Sequence, residues 1–517
     1  MGVSSLIDGY QKSMPGAIET IERERKFEAT DELKIPDVTG TSVVDRSDVR
    51  LTATYWDTVS RRLLRWGHTL RHRRASDGSE DRWTLKLAIP SRKKKGELHR
   101  AEVHVAGRRL YPPPEIRDLA HAIVRRAVLR PIAMVTTERH RTELAGGEPT
   151  ERVELSDDHV SSIVGLHHGP AFRQIEVAAA SPRADGVMDD VSEALIGVGA
   201  VPADASKLKM VLGDTFEPEI ILPLPGAGMS FRDVVRYAIG SGASRLIAND
   251  PVARIGSDPE AIHQARVATR RLRSDLKTLE PLMDRTAVSK IRNELGWVSE
   301  LLGAVRDTDV LIARVKETER QLSLEPGATS AIVTELEQDR RGRHRELVDA
   351  LASGRYIALV RELITASEDP PLAKELDGDR RAGPRVRKLI RKSWRRVPRA
   401  VKRLKTNPND TALHDIRKRA KRARYAAELA AAALELDTGR LAKRLEQMQD
   451  VLGELQDAVV AEQRLAALVR DNRIIGGAAF AAGKLACAMD QARSDARDRW
   501  PASWKAARAK GLRRGLS

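Results

Sequence analysis

The stretch that decides the fold is residues 21–27, IERERKF. Glu22, Glu24 and Lys26 stand at alternate positions in it, and side chains two residues apart on a strand share one face. Two carboxylates and an ammonium on one face suit a metal-bound polyanion better than an apolar core, because carboxylates hold divalent cations and amines meet phosphate oxygens. The stretch therefore predicts a strand that faces a site of phosphate chemistry.

The composition narrows the class of partner. The chain has 517 residues, which is enough for two or three domains. Its formal charge of +17 and its pI near 10.0 predict a polyanionic partner, whether nucleic acid, an anionic lipid surface or polyphosphate. Aromatic residues are only 3% of the chain and leave little material for base-stacking platforms, so nucleic acid is disfavoured.

Cysteine content and hydropathy bear on the compartment. The single cysteine, Cys487, cannot form an intrachain disulfide, which fits a reducing environment. No run of about 18 apolar residues occurs, and the first residues lack the basic and apolar regions of a secretory signal. We therefore expect a cytoplasmic protein without a membrane partner.

Two regions with different periodicity divide the chain. Up to about residue 180, alternating segments predict an antiparallel barrel or sandwich of about eight strands, with helix-like stretches at 114–126 and 187–198 packed outside it. The predicted strands are 21–28, 50–58, 68–74, 81–88, 97–105, 131–144, 150–158 and 171–178. Residues 214–228 concentrate Pro and Gly and predict a linker.

From residue 229 onward, apolar residues at three- and four-residue spacing predict packed amphipathic helices. This region contains an internal repeat. IHQAR at 262–266 returns as LHDIR at 413–417, and LGAVRD at 302–307 returns as LGELQD at 452–457. Because both segments recur in the same order at nearly the same distance, we infer a duplication that yields two related helical bundles, joined by residues 368–384.

Ionisable residues stand at alternate positions on nearly every predicted strand of the first region. For a single strand, the ordinary interpretation is a solvated face of a half-buried sheet. Across eight strands, however, acids concentrate on the first and last strands and bases on those between. A barrel with a charged interior is the alternative, because such charges offset their desolvation by binding each other, metals and an anionic ligand.

At this point the motifs resemble a known family. Glu22-x-Glu24-x-Lys26, Leu70-Arg71-His72-Arg73, Thr84-Leu85-Lys86, Arg100-x-Glu102, Phe172-Arg173-Gln174-Ile175-Glu176 and Ser206-Lys207 occur in the order and spacing of the CYTH domain, the domain of triphosphate tunnel metalloenzymes. The resemblance covers residues 18–213. It implies an eight-stranded antiparallel tunnel that binds a triphosphate with the help of Mg²⁺ or Mn²⁺.

The resemblance also implies roles for single residues. The metal would be held by Glu22, Glu24 and Glu176, and the phosphates by Arg71, Arg73, Lys86, Arg139 and Lys207. Lys26, Glu102 and Asp158 would be catalytic, Lys26 by holding phosphate and the two acids by completing the acidic lining. The register leaves Asp157 open as an alternative to Asp158, and Arg141 as an alternative to Arg139.

One departure from the family pattern concerns the last strand. Family members usually place alternating acids there, whereas Glu176 is flanked on its own face by Gln174 and Ala178. A missing carboxylate could weaken metal binding. The alternative to a triphosphatase is therefore a catalytically silent barrel, and a second alternative is a CYTH enzyme that acts on thiamine triphosphate or ATP.

Two basic stripes mark the helical region. Each copy of the repeat collects a histidine and three bases on one helix face, at offsets of three, seven and ten residues or close to these. The members are His263, Arg266, Arg270 and Arg273 in the first copy, and His414, Arg417, Lys421 and Arg424 in the second. A charged helix face is usually just solvated, but stacked like charges repel unless an anion bridges them, and the duplication of the whole stripe favours a function.

The stripes resemble the CHAD domain, a helical domain with conserved histidines that associates with inorganic polyphosphate. The resemblance covers residues 229–510, with copies at about 229–366 and 384–510. It implies that both stripes and Arg306 bind polyphosphate, that Asp307 and Asp457 orient bases, and that the protein could associate with polyphosphate granules. Between residues 380 and 424, Asp410 and Asp415 are the only carboxylates, so this segment should dominate the positive field.

Overall fold

The computed structural model describes residues 17–88, 98–107, 110–148, 150–181, 183–203, 205–213, 216–322, 324 and 327–509, without the side chains of residues 17–23 and 98–100. These residues form two compact units. The first extends to Glu219 and takes in Ile247–Ala261, and the second comprises Ile220–Leu246 and the chain from Ile262 onward. Within the described ranges, all the strands lie in the first unit and the second consists of helices.

The strands of the first unit confirm the eight predicted segments and add two short ones. They are β1 Ala17–Ala29, β2 Ser42–Asp57, β3 Thr69–Ala75, β4 Asp81–Ala88, β5 Leu98–Ala106, β6 Arg130–Ala145, β7 Arg152–Val164, β8 His167–His168, β9 Phe172–Ala179 and β10 Val201–Ala203. The additional strands β8 and β10 have only two and three residues. Neither carries an alternating pattern long enough to be read from the sequence.

All the pairings in the sheet are antiparallel. They run in the order β1, β5, β4, β3, β2, β6, β7, and β9 then pairs with both β7 and β1. β1 pairs with β5 over residues 17–24 and with β9 over residues 24–29. Its first part is therefore paired with one neighbour and its second part with the other. The strands thus surround an interior, although the sheet is not a uniformly closed barrel.

The alternation of β1 separates its two faces. Glu24 and Lys26 are buried on the interior face. Phe27 is buried on the other face, where it packs in a hydrophobic cluster with Val191 and other residues of a helix outside the sheet. Arg25 donates a 2.6 Å hydrogen bond to Asp189 on that same helix. The alternate positions of the opening stretch that carry Glu24 and Lys26 therefore face the interior of the sheet.

Short helices accompany the sheet. They are α1 Arg62–Arg65, α2 Pro114–Leu119, α3 His121–Val124, α4 Asp185–Gly197 and α5 Lys207–Leu212. Helices α2, α3 and α4 occupy the two stretches predicted as helical. The described residues 216–228 contain neither helix nor strand, at the place where the linker was predicted.

The helical region contains nine long helices among the described residues. They are α6 Phe231–Ile255, α7 Pro259–Leu279, α8 Arg285–Gln321, α9 Ser330–Ala352, α10 Gly354–Glu368, α11 Gly383–Val401, α12 Asp410–Leu434, α13 Gly439–Arg470 and α14 Gly476–Ala507. None of the described helices is long and apolar enough to cross a membrane. The repeated sequences fall on matching helices, with the basic stripes on α7 and α12 and the LGxxxD segments on α8 and α13.

The starts of the stripe helices follow from their capping residues. α7 begins at Pro259, whose fixed backbone angle suits the first turn of a helix. α12 begins after Asn409, whose side chain accepts a 2.9 Å hydrogen bond from the backbone N–H of Ala412. Such a cap satisfies one of the free amide groups at a helix start and fixes which residues face inward.

A charged cavity and a central cation cluster

The interior of the sheet holds a cavity of about 370 Å³. Six strands and helix α5 bring predicted residues of both charges to its wall. These are Glu24 and Lys26 from β1, Arg71 and Arg73 from β3, Lys86 from β4, Glu102 from β5, Arg139 from β6, Glu176 from β9 and Lys207 from α5. Residues separated by up to 183 positions in the sequence thus meet in one chamber.

Glu176 is shared by three cations of this wall. Its carboxylate lies 2.5 Å from the ammonium of Lys26, 2.7 Å from that of Lys207 and 2.7 Å from the guanidinium of Arg139. Burial alone would raise the pKa of Glu176, but the charges of Lys207, Lys26 and Arg139 hold it well below its ordinary value. The residue is therefore ionised, and it organises the bases that the sequence assigned to phosphate binding.

Asp158 stands behind the cavity wall. It is fully buried, accepts two 2.7 Å hydrogen bonds from Arg139 and lies 2.8 Å from the ammonium of Lys207. Asp157 points to the other face of β7, where it forms an ion pair with Arg173 at 2.8 Å. The structure thus selects Asp158 over Asp157, and it gives Asp158 the place of a residue that positions two bases of the wall.

The register of β6 likewise selects Arg139. The Arg139 side chain is 15% exposed and lines the cavity. Arg141, two residues further along, is 42% exposed and lies 2.8 Å from Glu154, outside the lining. Burial would lower the pKa of Arg139, but its hydrogen bonds with Asp158 raise it above the ordinary value. Arg139 is therefore held permanently charged at the cavity.

The acids available to a metal ion begin with Glu24. Its Oε1 atom is buried without a hydrogen-bond partner, although it lies 3.0 Å from the Lys26 ammonium. Glu102 forms an ion pair with Lys86 on the neighbouring strand. Within the described residues, no group of three or more His, Cys, Asp or Glu is arranged to hold a metal, but the side chain of Glu22 lies outside those residues. The donors are carboxylate oxygens, which fit Mg²⁺ or Mn²⁺.

Gln174 and Ala178, by which the last strand departs from the family pattern, do not line the cavity. Gln174 is fully buried, and its Nε2 donates a 3.4 Å hydrogen bond to the carbonyl oxygen of Ala205. It pairs with Asp158 across β7 and β9. Ala178 pairs with Glu24 across β1 and β9, so a small side chain adjoins the acid that has an unpaired oxygen.

Several residues of the wall were missed in the sequence. Tyr55 lines the cavity and pairs with Arg71 across β2 and β3. Burial would raise the pKa of Tyr55, but the adjacent Arg71 lowers it. Glu80 lies 2.6 Å from Arg73, and His104 has a pKa lowered to about 4 by burial and by neighbouring arginines. The strand register would have found Tyr55, because it alternates with the interior positions of β2.

The stripes of α7 and α12 meet in the second unit. Lys421 on α12 faces Arg266 and Arg270 from α7, together with Arg417 and Arg424 from its own helix. We call these five residues the central cation cluster. Burial, and then the repulsion from these four guanidinium groups, lowers the pKa of Lys421 to about 6. Lys421 is therefore largely neutral near pH 7 in the absence of an anion.

The cluster is only partly neutralised. Arg266 lies 2.7 Å from Asp307 on α8, as expected of an acid that orients a base, and Arg424 lies 2.8 Å from Glu446. Arg270 donates a 3.0 Å hydrogen bond to the hydroxyl of Tyr425. Among the described residues, Arg270, Arg417 and Lys421 have no carboxylate within 4.0 Å. The cluster thus presents to an anion three basic groups without a carboxylate at ion-pair distance.

Each LGxxxD segment places its glycine against an arginine of a basic stripe. A Cβ at Gly303 would lie 3.6 Å from the Nε of Arg266, and a Cβ at Gly453 would lie 3.1 Å from a terminal nitrogen of Arg417. The guanidinium groups therefore rest against the bare backbone of α8 and α13. At Gly453 this close approach leaves a side chain no room unless Arg417 shifts, whereas 3.6 Å at Gly303 is an ordinary van der Waals distance.

The remaining stripe residues surround the cluster. His414 is half-buried, and burial together with Lys418 and Arg417 lowers its pKa. The guanidinium of Arg273 lies 3.5 Å from the position of a Cβ at Gly296. His263 and Arg306 are half-buried on α7 and α8. Their assignment to polyphosphate binding stays a prediction.

Comparisons with known proteins bear on both sites. The CYTH domain model matches residues 20–193, and the CHAD domain model matches residues 238–466. An uncharacterised protein of Mycobacterium tuberculosis (strain H37Rv) is 31% identical over 86% of this chain and 88% of its own length. The chain belongs to the CYTH–CHAD family. The CYTH match therefore covers the strands around the cavity, and the CHAD match covers the helices that carry the central cation cluster.

Two solved structures are similar to the chain at lower identity. PptA from Streptomyces chartreusis is 22% identical, with a TM-score of 0.46, and the match covers 54% of this CYTH–CHAD chain and all of the other. The CHAD domain from the plant Ricinus communis is 23% identical, with a TM-score of 0.42 over 57% of this chain and 95% of the other. CYTH domains are metal-dependent as a family.

Proposed function

We propose that the CYTH cavity hydrolyses inorganic triphosphate with the help of Mg²⁺ or Mn²⁺, and that the CHAD unit binds inorganic polyphosphate through the central cation cluster. The observation that carries the proposal is the convergence of bases on one cavity of about 370 Å³. They are Lys26, Arg71, Arg73, Lys86, Arg139 and Lys207. A compact anion with several negative oxygens is the ligand that such a wall fits.

The bases of the wall are prepared for an exchange of partners. Lys26, Lys207 and Arg139 now contact Glu176 at 2.5 to 2.7 Å. A bound triphosphate would compete for the same donors, and the carboxylate neighbours of Lys26 and Arg139 raise the pKa of those two groups. The exchange substitutes phosphate oxygens for carboxylate oxygens inside a preorganised site, and preorganised charge is usually the largest contribution to catalysis.

Glu24, whose buried Oε1 atom has no hydrogen-bond partner, would bind the metal in exchange for its contact with Lys26, with Glu22 two residues earlier on the same predicted face. A divalent cation held there would neutralise phosphate charge and lower the pKa of a bound water. In the reaction, a water oxygen forms a bond to the terminal phosphorus, the bridging oxygen leaves with pyrophosphate, and inorganic phosphate is released. Lys26 binds the phosphates, Glu102 orients Lys86, and Asp158 positions Arg139 and Lys207.

Phosphate release from tripolyphosphate with Mg²⁺ or Mn²⁺ tests the cavity. We expect wild type to release phosphate and Glu24→Gln to be slower by at least about 100-fold, because one metal ligand is lost. Glu138→Gln is the matched control, since Glu138 is exposed and pairs with Arg50 on the outer face. Equal rates in wild type and Glu24→Gln would refute the proposal and leave a catalytically silent cavity.

Substrate choice is tested in the same assay with ATP and thiamine triphosphate. The wall offers cations and carboxylates, while the described lining includes Tyr55 as its only aromatic residue. A site of this kind contacts the phosphates and offers little to a base or a thiazole ring. We therefore expect inorganic triphosphate to have the highest kcat/KM, and a preference for either organic triphosphate would replace it as the substrate.

Equilibrium binding of long-chain polyphosphate tests the CHAD unit. We expect Arg417→Gln with Lys421→Gln to weaken binding at least tenfold, because the binding site loses the guanidinium of Arg417 and the amine of Lys421, which a bound anion would protonate. The control pair is Arg440→Gln with Lys443→Gln, which removes the same charge from exposed positions of α13. An equal loss in the control pair would mean that overall charge, and not the cluster, determines binding. Tighter binding to duplex DNA than to polyphosphate would assign the cluster to nucleic acid.

A further inference from the structure

Helix α11 carries a charged surface that the central cation cluster does not include. Its exposed face bears six bases at alternating spacings of three and four residues, which places them in one row along the helix. They are Arg385, Lys388, Lys392, Arg395, Arg399 and, directly after the helix, Lys402. We call this row the α11 ridge. At 1.5 Å per residue it is about 25 Å long.

The ridge is uncompensated. All six residues are exposed, and none of them has a carboxylate within 4.0 Å in the described part of the chain. Between Arg380 and Asp410 the sequence contains no acid at all. The counterpart in the first copy of the repeat is α6, the helix that precedes the other stripe. It carries Arg232, Arg236, Arg245 and Arg254, together with Asp233 and Asp250. The duplication therefore diverged here, and only the second copy has a ridge.

The opposite face of α11 explains why the bases point outward. Val386, Ile390, Trp394 and Val397 are buried, and the Trp394 ring stands 6.1 Å from that of Trp504 on α14. The helix is thus fixed by its apolar side. Since these apolar residues are committed to the core, none of them is available to enter a bilayer or to stack on a base.

Arginines connect the ridge with the central cation cluster. Arg422 directly follows Lys421 on α12, so it points about 100° away around the helix. Arg396, on the flank of α11, and Arg292 on α8 lie close enough to Arg422 that, after burial, their charges lower its pKa. Positive charge therefore continues from the cluster over Arg422 and Arg396 to the ridge.

We propose that the α11 ridge is a second binding segment for polyphosphate, occupied only by chains long enough to extend beyond the central cation cluster. The inference rests on the proposed binding function of the CHAD unit. A single row of cations fits a narrow, flexible polyanion that can follow it, and the continuity through Arg422 and Arg396 supplies the route. The cluster would bind any chain, and the ridge would add affinity with chain length.

The test uses Lys388→Gln, Lys392→Gln, Arg395→Gln and Arg399→Gln combined in the full chain. Glutamine retains a high helix propensity, and all four positions are exposed, so the fold should be kept. The control combines Arg440→Gln, Lys443→Gln, Arg444→Gln and Arg470→Gln, which removes the same charge from exposed positions of α13. Unchanged phosphate release from tripolyphosphate and unchanged circular dichroism report that each variant is folded.

We expect the ridge variant to bind long-chain polyphosphate at least tenfold more weakly than the control. The slope of log affinity against log salt should fall by about three, because each lost phosphate contact contributes about 0.7 on a single-stranded polyanion. Affinity for short chains that the cluster can hold should stay the same.

Equal affinity and equal slope in the ridge variant and the control would overturn the inference while leaving the proposed function intact. If the wild-type protein does not bind polyphosphate of any length, both the inference and the proposed function are refuted. If the ridge variant loses binding to duplex DNA or to vesicles of anionic lipid but keeps its affinity for polyphosphate, the ridge belongs to that other partner and the inference is wrong.

Discussion

The CYTH cavity and the central cation cluster both gather lysines and arginines, but they treat the charge in opposite ways. In the cavity, burial tends to lower the pKa of Lys26, yet Glu176 and Glu24 raise it above its ordinary value. In the cluster, burial and four guanidinium groups lower the pKa of Lys421 to about 6. Lys26 is therefore paired with acids inside the cavity, whereas the bases of the cluster are left for an anion to complete.

The secondary structure explains the difference. A sheet that folds around an interior brings alternate residues of distant strands face to face, so acids of β1 and β9 meet bases of β3, β4 and β6. Two helices that carry the same basic stripe bring like charges together when they meet. An enzyme site benefits from the first arrangement because its groups are preorganised, and a polyanion site benefits from the second because binding relieves repulsion.

The largest expected effect on stability is in the CYTH cavity. Glu176→Gln leaves Lys26, Lys207 and Arg139 without their shared carboxylate, and removing one partner of a buried ion pair typically costs about 3–5 kcal/mol. We expect a loss of this size in the free energy of unfolding, measured by urea titration. Glu138→Gln, which breaks an exposed pair, should change stability by less than about 1 kcal/mol. A Glu176→Gln protein as stable as the control would mean that the cavity is not held together by its charges.

The cluster should respond in the opposite direction. Lys421→Met removes a base from among four guanidinium groups, so we expect the free energy of unfolding at pH 7 to stay the same or rise by about 1 kcal/mol or more. Because the folded pKa of Lys421 lies below the unfolded one, wild type gains stability as pH rises from about 6 toward 10.5. Lys421→Met should lose this part of the pH dependence, and destabilisation by the substitution would contradict the account.

The smallest effect distinguishes the two repeated glycines. Alanine in a helix interior is favoured over glycine by about 0.5–1 kcal/mol, so Gly303→Ala should stabilise the protein without changing polyphosphate affinity, since its Cβ would stand 3.6 Å from Arg266. Gly453→Ala brings a Cβ within 3.1 Å of Arg417 and should weaken polyphosphate binding a few-fold. Thermal unfolding and equilibrium binding measure the pair. Identical behaviour of the two variants would show that Arg417 does not need its place against the backbone.

The sequence predicted the two folds and the charged faces well, because alternation and helical spacing are local properties. The shared strand face of Glu24 and Lys26 and the basic stripes on α7 and α12 could be predicted directly from the sequence. The sharing of Glu176 among three bases could not, since it depends on how β1, β6 and β9 come together. The position of Asp158 behind Arg139 depends on the same pairing.

The glycines of the LGxxxD segments show a second limit. The repeat marked Gly303 and Gly453 as special, but only the packing of α7 on α8 and of α12 on α13 reveals that each carries a guanidinium. The α11 ridge shows the converse. The sequence identified the base-rich segment, whereas the separation of the exposed row from the buried Trp394 face required the structure.

Proton uptake on polyphosphate binding at pH 8, measured by calorimetry in buffers of different ionisation enthalpy, tests the central contrast most directly. Free Lys421 is largely neutral there because burial and then the four neighbouring guanidinium groups lower its pKa, and a bound polyanion should raise that pKa and draw in a proton. We predict uptake approaching one proton per chain in wild type and markedly less in Lys421→Met. Binding without proton uptake in wild type, or equal uptake in both proteins, would contradict the account.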